Sequence, residues 1–157
     1  TPHAPFAESA QTALERARMA LSPDRRRTIR KLEARILVGA PASERVQQTL
    51  GEVDRTLLAV FERCFTNARS MVFGYVDADG ARTTRHVECV ALVMHAPTWY
   101  VLAWDLDKDA RRLFRMDRIR EPATGDVLAT HHALEALMPD VDPSEDRWNR
   151  RSLASTT

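Results

Sequence analysis

The sequence lacks most of the features that mark secreted, membrane-spanning or disulfide-stapled proteins. Its 157 residues contain two cysteines, Cys64 and Cys89, and no Cys-x-x-Cys pair, so nothing indicates a disulfide scaffold and a reduced setting is expected. No apolar run approaches the roughly 18 residues that a membrane span requires. The first residues, TPHAPFAES, have neither the basic nor the apolar region of a secretory signal. We therefore expect a cytoplasmic protein without membrane contact.

Signatures of catalysis are also scarce. The sequence has no G-x-S-x-G elbow, and its five glycines are too scattered to form a phosphate-binding loop. His86 and Glu88 resemble half of the zinc-deaminase signature, but no P-C-x-x-C follows them. His131 and His132 are adjacent, so on a helix they would diverge by about 100° and are expected at the surface. We expect no enzymatic activity, no metal site and no cofactor.

Charge is nearly balanced, with 23 basic and 22 acidic residues and a net charge of +1. The whole protein therefore generates no strong field toward nucleic acid, and any attraction must come from a local patch. The length suits one domain, or one domain with a helical appendage. Because the chain begins with Thr1 rather than Met, we expect it to be a fragment of a longer protein.

Apolar residues recur at helical spacing in the N-terminal part of the chain. The spacing predicts a first helix over residues 6–21. Ser22-Pro23-Asp24 is typical of a helix start and predicts a second helix to about residue 38. A third helix is predicted over residues 42–67. The many basic residues of the second helix spread around its cylinder, so we interpret them as a solvated surface.

From residue 71 onward the pattern changes to that of β-strands. The predicted strands span residues 71–76, 82–94, 99–104 and 111–116. Asp77-Ala78-Asp79-Gly80 predicts a hairpin turn between the first two strands, because Asp-Gly tolerates positive φ. A further turn is predicted at Thr124-Gly125-Asp126, followed by a short helix over residues 127–138. The sequence thus predicts an α+β fold, with N-terminal helices followed by a small antiparallel β-barrel.

A basic and aromatic cluster lies at the end of the predicted barrel. It contains five arginines, namely Arg111, Arg112, Arg115, Arg118 and Arg120. Arginine suits phosphate because its planar fork binds two oxygens at once, and an aromatic neighbour adds base stacking. The alternative is that these arginines form surface ion pairs with Asp105, Asp107, Asp109 and Asp117. Composition alone leaves both interpretations open.

Three stretches resemble the WYL domain family. Trp99-Tyr100-Val101-Leu102-Ala103 resembles the W-Y-L-x-A core that gives the family its name, with Val101 in place of Leu. The stretch from Arg85 to Val93 resembles the family's R-x-V-x-P-x-x-L-V strand, with Cys89 where Pro is usual. The stretch from Arg112 to Ile119 resembles its R-x-F-R-L-D-R-I strand. The resemblance covers about residues 50–121.

The resemblance implies an Sm-like, SH3-type barrel from a bacterial transcriptional regulator that senses a ligand. In that family a winged helix-turn-helix usually precedes the barrel, and nucleic-acid or nucleotide-like ligands are implicated. We expect residues 1–41 to be a helical linker and dimerisation segment. Residues 42–121 are expected to be the WYL domain, and residues 122–157 a partly disordered C-terminal extension. Duplex DNA would be bound only through an upstream domain missing from this chain.

The residues expected to bind the anionic ligand are Tyr75, Arg85, Arg112, Arg115 and Arg118. The ligand would be a single-stranded nucleic acid or a nucleotide, with the arginines on phosphate and the tyrosine supplying an edge for stacking or hydrogen bonding. We assign Trp99 and Tyr100 mainly to structure, because an aromatic pair on a central strand usually fills a barrel. The alternative function is a dimerisation module of a regulator that binds no small ligand.

Overall fold

The structure, a computed structural model, describes residues 7–130 and 132–137. The predicted disorder at the C terminus and the predicted surface position of His131 lie outside these residues. The described part of the chain forms two compact units, with the division between Glu33 and Ala34. Among the described residues, no helix combines the length and the apolar character that crossing a membrane requires.

The first unit contains helix α1 (Ala7–Met19) and helix α2 (Pro23–Glu33). The predicted start of α2 is confirmed, since the Ser22 hydroxyl accepts the N–H of Arg25 at 3.3 Å. The Arg18 guanidinium donates to the Glu33 carboxylate. No residue of α2 is buried, which agrees with the predicted solvated surface of this helix.

The prediction that the second helix continues to residue 38 is wrong. The helix ends at Glu33, and Ile36–Val38 form strand β1 instead. Leu37 and Val38 are buried because this short strand pairs in parallel with residues 92–94, near the end of a long strand in the same unit. Burial against a distant strand therefore overrides the local helical spacing.

The second unit is organised around one sheet of six strands. Besides β1, its strands are β2 (Arg69–Val76), β3 (Arg82–His95), β4 (Thr98–Asp105), β5 (Ala110–Arg115) and β6 (Ile119–Leu128). The order is β5-β4-β3-β2-β6, with β1 beside β3. The first half of β3 pairs with β2, and its second half lies between β4 and β1. The four strands predicted between residues 71 and 116 are confirmed, as is the hairpin turn in which Gly80 has φ of 84°.

The sheet is not closed into a barrel, so the predicted Sm-like, SH3-type closure is not found. Among the described residues, β5 and β6 are edge strands that do not pair with each other. A single 3-10 turn, Met116–Arg118, connects them, and its backbone is not extended enough to form a ladder. The sheet is nevertheless strongly curved, because the Phe114 ring on β5 lies 5.1 Å from both Phe73 and Tyr75 on β2.

The predicted third helix is interrupted. It consists of a short helix α3 (Glu44–Gln47) and helix α4 (Leu57–Thr66), separated by non-helical residues. The backbone between the two helices makes a tertiary hydrogen bond instead of a helical one, since the Gly51 N–H donates to Asp117 at 2.8 Å. Helix α4 buries Leu57, Val60, Phe61 and Cys64, and it packs against β2, β3 and β6.

The turn predicted at residues 124–126 is wrong, because these residues lie in β6, which pairs antiparallel with β2. The short helix predicted over residues 127–138 is found only in part, since residues 127–128 also belong to β6 and the described helix covers Leu134–Leu137. Gly125 is required by close packing rather than by a turn, because a Cβ there would lie 2.4 Å from the Ser70 Oγ. After β6 a short helix α5 (Leu134–Leu137) places Leu134 and Leu137 in the core cluster.

The predicted domain limits at residues 42 and 121 stay predictions. Strand β1 lies before the first limit and β6 crosses the second. Trp99 and Tyr100 are both half-buried on β4. Tyr100 packs against the core cluster, and its ring centroid lies 5.8 Å from that of His95.

Candidate ligand site

Strand register brings three of the five predicted ligand residues to one face of the sheet. Phe73 pairs with Arg85, Val87 pairs with Asp105, and Ala103 pairs with Arg112, with no register shift in these segments. Paired residues share a face and neighbours two apart along a strand share it too. The resulting surface, here called the Tyr75 face, comprises Phe73, Tyr75, Arg85, Asp105, Arg112 and Phe114.

Arg85 is positioned on this face by a buried carboxylate. Asp105 is fully buried, and its Oδ2 lies 3.3 Å from Nη1 of Arg85. The other oxygen of Asp105 accepts the backbone N–H groups of Asp107 and Lys108, both at 3.1 Å. The turn between β4 and β5 therefore fixes the carboxylate that orients Arg85. The Nε of Arg85 is buried and has no hydrogen-bond partner in the described part of the chain.

Arg112 is exposed at the edge of the same face. Within the described residues it makes neither an ion pair nor a side-chain hydrogen bond. Its neighbour Arg111 pairs with Trp104 and so projects to the opposite face, where it donates to the carbonyl of Leu137. Arg112 is therefore a cation whose donors are open to an acceptor from outside.

Tyr75 connects the face to the corner between β5 and β6. Its ring is half-buried and meets Phe114 edge-on, at an interplanar angle of 77°. Its hydroxyl accepts the backbone N–H of Arg115 at 3.3 Å. The Tyr75 face thus combines the half-buried Tyr75 ring, packed on the buried Phe73 and Phe114, with two arginines that keep unused donors.

Arg115 is placed differently from Arg85 and Arg112. It pairs with Tyr100, so its side chain starts on the opposite face, and it is 7% exposed. Its guanidinium donates to both carboxylate oxygens of Asp117, at 3.0 and 2.6 Å, and to the hydroxyl and the carbonyl of Thr49, each at 2.9 Å. These bonds use most of its five donors within the protein.

The Arg115–Asp117 pair stays charged. Burial on its own would raise the pKa of Asp117, but the hydrogen bonds from Arg115 and from the Gly51 N–H outweigh it and lower the pKa. The hydrogen bond to Asp117 correspondingly raises the pKa of Arg115. The pair therefore holds the 49–51 segment against the corner at Asp117.

The remaining arginines of the cluster divide between internal contacts and open positions. Arg120 donates to the carbonyls of Asp117 and Ile119, at 2.8 and 2.9 Å. Arg118 is half-buried and makes no ion pair in the described part of the chain, although its charge helps to lower the pKa of Asp117. Within residues 7–130 and 132–137, Arg115 is the one arginine of the cluster paired with an aspartate, and that pair is buried, whereas the alternative interpretation predicted surface pairs.

Sequence reasoning missed a second polar cluster around Glu88. This carboxylate is 2% exposed and accepts hydrogen bonds from the N–H and hydroxyl of Thr130, at 2.9 and 2.8 Å. It also accepts the N–H of His132 at 2.6 Å and lies 3.0 Å from the Nδ1 of that residue. Burial would raise the pKa of Glu88, but these bonds outweigh it and lower the pKa. The sequence feature that could have revealed this cluster is the position of Glu88, a charged residue inside the otherwise apolar run of β3.

The histidines do not assemble a metal site in the described residues. His86 is hydrogen-bonded to Ser70, with 2.8 Å between Nε2 and Oγ. His132 stacks on Trp104, with ring centroids 4.4 Å apart. No group of three or more His, Cys, Asp or Glu side chains within residues 7–130 and 132–137 has an arrangement that could hold a metal ion.

Comparison with known proteins gives a family match and likenesses to solved structures. Residues 56–124 match the WYL domain family. Proteasome accessory factor B/C (PafBC) of Arthrobacter aurescens is similar over 59% of this chain, at 20% identity and a TM-score of 0.44. The aligned region covers 13% of that larger chain. The family match covers less than half of the chain, and it confirms the predicted similarity of this region to the WYL domain family.

Proposed function

We propose that the chain is the ligand-sensing module of a bacterial transcriptional regulator, and that the Tyr75 face binds an anionic ligand. The ligand class that fits this face is a single-stranded nucleic acid or a nucleotide. The observation that carries the proposal is the position of Arg85 and Arg112. Both lie on the same face as the half-buried Tyr75, and both keep donors that no described residue uses.

The chemistry follows from these donors. The Arg85 side chain is 24% exposed and uses Nη1 for Asp105, so its Nη2 keeps donors for an anion. Asp105 holds the Arg85 guanidinium in place before the ligand arrives, so less side-chain entropy is lost on binding. Arg112 adds a second, exposed cation, and Tyr75 offers a ring edge to a base or sugar.

Arg115 and Arg118 contribute in other ways in this proposal. Arg115 supports the site indirectly, because it fixes the corner to which the Tyr75 hydroxyl is hydrogen-bonded. Arg118 adds positive charge at the 3-10 turn, and a direct contact of Arg118 with the ligand stays a prediction. We propose a binding role rather than catalysis, in the cytoplasm, with duplex DNA recognised by a domain outside this chain.

The alternative of a dimerisation module is supported by the first unit. Helix α2 has no buried residue, and Met19 at the end of α1 is 73% exposed. Apolar side chains that their own unit leaves exposed often mark an interface. Dimerisation through these helices is compatible with ligand sensing in the second unit, and we propose both for the same protein.

The test of ligand sensing is a titration of the chain with a short single-stranded oligonucleotide at fixed, moderate salt. We expect saturable binding that Arg112→Ala weakens by about tenfold, because a charge-assisted hydrogen bond to phosphate is lost. Arg25→Ala on α2 is the matched control and should change binding much less. Arg85→Lys keeps the charge but loses the planar fork, so it should also weaken binding several-fold.

Two results would favour the alternative, a dimerisation module without a small ligand, over ligand sensing. One is the absence of saturable binding for oligonucleotides and nucleotides alike. The other is an equal loss of affinity in the Arg25 and Arg112 variants, since a non-specific attraction would not distinguish an exposed helix from the Tyr75 face.

A further inference from the structure

Strand β5 has one edge that pairs with β4 and a second edge, here called the outer edge, that pairs with no strand of the described residues. Near its C-terminal end the N–H of Arg115 lies on the outer edge, where it donates to the Tyr75 hydroxyl. Successive N–H groups of a strand alternate between its two edges. The N–H groups of Leu113 and Arg111 therefore also lie on the outer edge, and no described residue outside β4 accepts from them.

The side chains along the outer edge are cationic and apolar. Arg112 is exposed on the Tyr75 face and has no carboxylate partner among the described residues. Leu113 and Arg111 lie on the opposite face, and Leu113 is 46% exposed. Two copies of β5 that paired edge to edge would bring arginines close together, so these charges disfavour a second copy. An acidic strand with one apolar residue would meet no such repulsion.

The chain itself continues from this edge as an acidic segment. The Arg111 guanidinium donates to the Leu137 carbonyl, which places the end of α5 beside β5. The next residues, 138–146, are MPDVDPSED, with four acidic side chains and no basic one. Five residues of extended chain span up to about 17 Å. The first acidic side chains after Leu137 can therefore reach Arg112.

The order of residues in this segment suits a strand at the edge of a sheet. In an extended segment the backbone nitrogens of Pro139, Val141 and Pro143 share one edge, and those of Asp140 and Asp142 share the other. Proline has no N–H and is tolerated where that edge faces solvent. The aspartate N–H groups are then directed at the neighbouring strand. Side chains alternate too, so both aspartates share one face and Val141 takes the other.

We propose that residues 139–143 dock along the outer edge of β5 as an added strand. The two aspartates lie on the Tyr75 face beside Arg112, and Val141 lies beside Leu113 on the opposite face. The docked segment covers the exposed cation of the Tyr75 face, so an anionic ligand has to displace it. This regulatory part rests on the proposed function, whereas the docking itself does not.

Amide hydrogen exchange of the full chain, followed by NMR spectroscopy, tests the docking in the absence of ligand. Asp140→Asn/Asp142→Asn, here called the tail variant, removes the charges that hold the segment at β5. We expect the Leu113 N–H to exchange several-fold faster in the tail variant than in the wild type, because the added strand opens more often. Asp79→Asn/Glu44→Gln is the matched control, since it removes the same charge from two exposed positions elsewhere. Its Leu113 N–H should exchange as in the wild type.

Titration of the same proteins with a short single-stranded oligonucleotide, at fixed moderate salt, tests the regulation. We expect the tail variant to bind several-fold tighter than the wild type, because no carboxylate competes with phosphate at Arg112. The control variant has the same net charge as the tail variant, so a general electrostatic effect would strengthen both equally. If none of these proteins binds the oligonucleotide, the proposed function fails, and hydrogen exchange alone decides the docking.

Three results would overturn the proposal. The first is equal exchange of the Leu113 N–H in the wild type and the tail variant. The second is protection of this N–H that rises with protein concentration, which would indicate a second copy at the outer edge. The third is an equal oligonucleotide affinity of the tail variant and the control variant.

Discussion

Arg115 and Asp117 form a buried ion pair, with Nη2 of the arginine 2.6 Å from Oδ2 of the aspartate. The same two side chains hold the backbone of Thr49 and Gly51, which lie 66 residues earlier in each case. Sequence motifs suggested a ligand-binding arginine at this position. In the structure, the Arg115 guanidinium donates to acceptors within the chain instead. The fold also leads to four expectations about stability and assembly.

Arg115→Ala should destabilise the fold strongly. Removing one partner of a buried pair leaves the other charge without compensation, which costs about 3–5 kcal/mol. Arg112→Ala on the same strand is the matched control, because Arg112 is exposed and makes no contact of this kind in the described residues. Its effect should stay within about 0.5 kcal/mol. Urea unfolding of both variants measures the difference, and equal stabilities would contradict the structural role of Arg115.

Stability should fall in acid partly because of Asp117. Its folded-state pKa lies below the ordinary value of 3.8. The carboxylate therefore contributes stability that is fully present above that ordinary value and is lost as the pH falls through the lower, folded-state pKa. The free energy of unfolding, measured from neutral pH into this acidic range, should decline less steeply in Asp117→Asn than in the wild type.

The control for this titration is Asp79→Asn, in the exposed hairpin turn. It should retain the slope of the wild type. Glu88, whose pKa is also lowered, should preserve part of the acid sensitivity in the Asp117 variant. An unchanged slope in Asp117→Asn would mean that this carboxylate gains nothing from its contacts in the fold.

Gly125→Ala should destabilise the packing of β6 on β2. The added Cβ would lie 2.4 Å from the Ser70 Oγ and 3.2 Å from the His86 Nε2, and Ser70 is fully buried. Overpacking of this kind costs about 1–3 kcal/mol. Gly74→Ala is the control, because its Cβ would meet only ordinary contacts at 3.6 Å or more. Thermal unfolding compares the two, and a larger loss in Gly74→Ala would refute the close approach at Gly125.

The full chain should be a dimer, and a chain that begins at Ala34 should be a monomer. The truncation point follows the division between the two units and keeps β1, whose Leu37 and Val38 are buried in the sheet. Sedimentation equilibrium of both chains measures the change. If the shorter chain remains dimeric, the interface lies in the second unit and not in α1 and α2.

Much of the sheet follows from local chemistry in the sequence. Strands β2 to β5 alternate or concentrate β-forming residues, and Asp77 to Gly80 contain the turn residues that positive φ requires. The motifs around Trp99 and Phe114 predicted the WYL domain, and the match over residues 56–124 confirms it. Tyr75, Arg85 and Arg112 share a face because strand alternation and hairpin register are local properties.

Tertiary structure decided the features that depend on distant partners. Residues 36–38 continue a helical pattern, yet they form β1 because β3 buries them. Gly125 resembles a turn residue, yet it lies in β6 because that segment pairs with β2, and its lack of a side chain leaves room for Ser70. Arg112 and Arg115 belong to one motif, yet only Arg115 meets Asp117 and Thr49 in the folded chain. Spacing in sequence fixes which face a side chain takes, whereas its burial and its partners depend on contacts formed only when distant segments pack together.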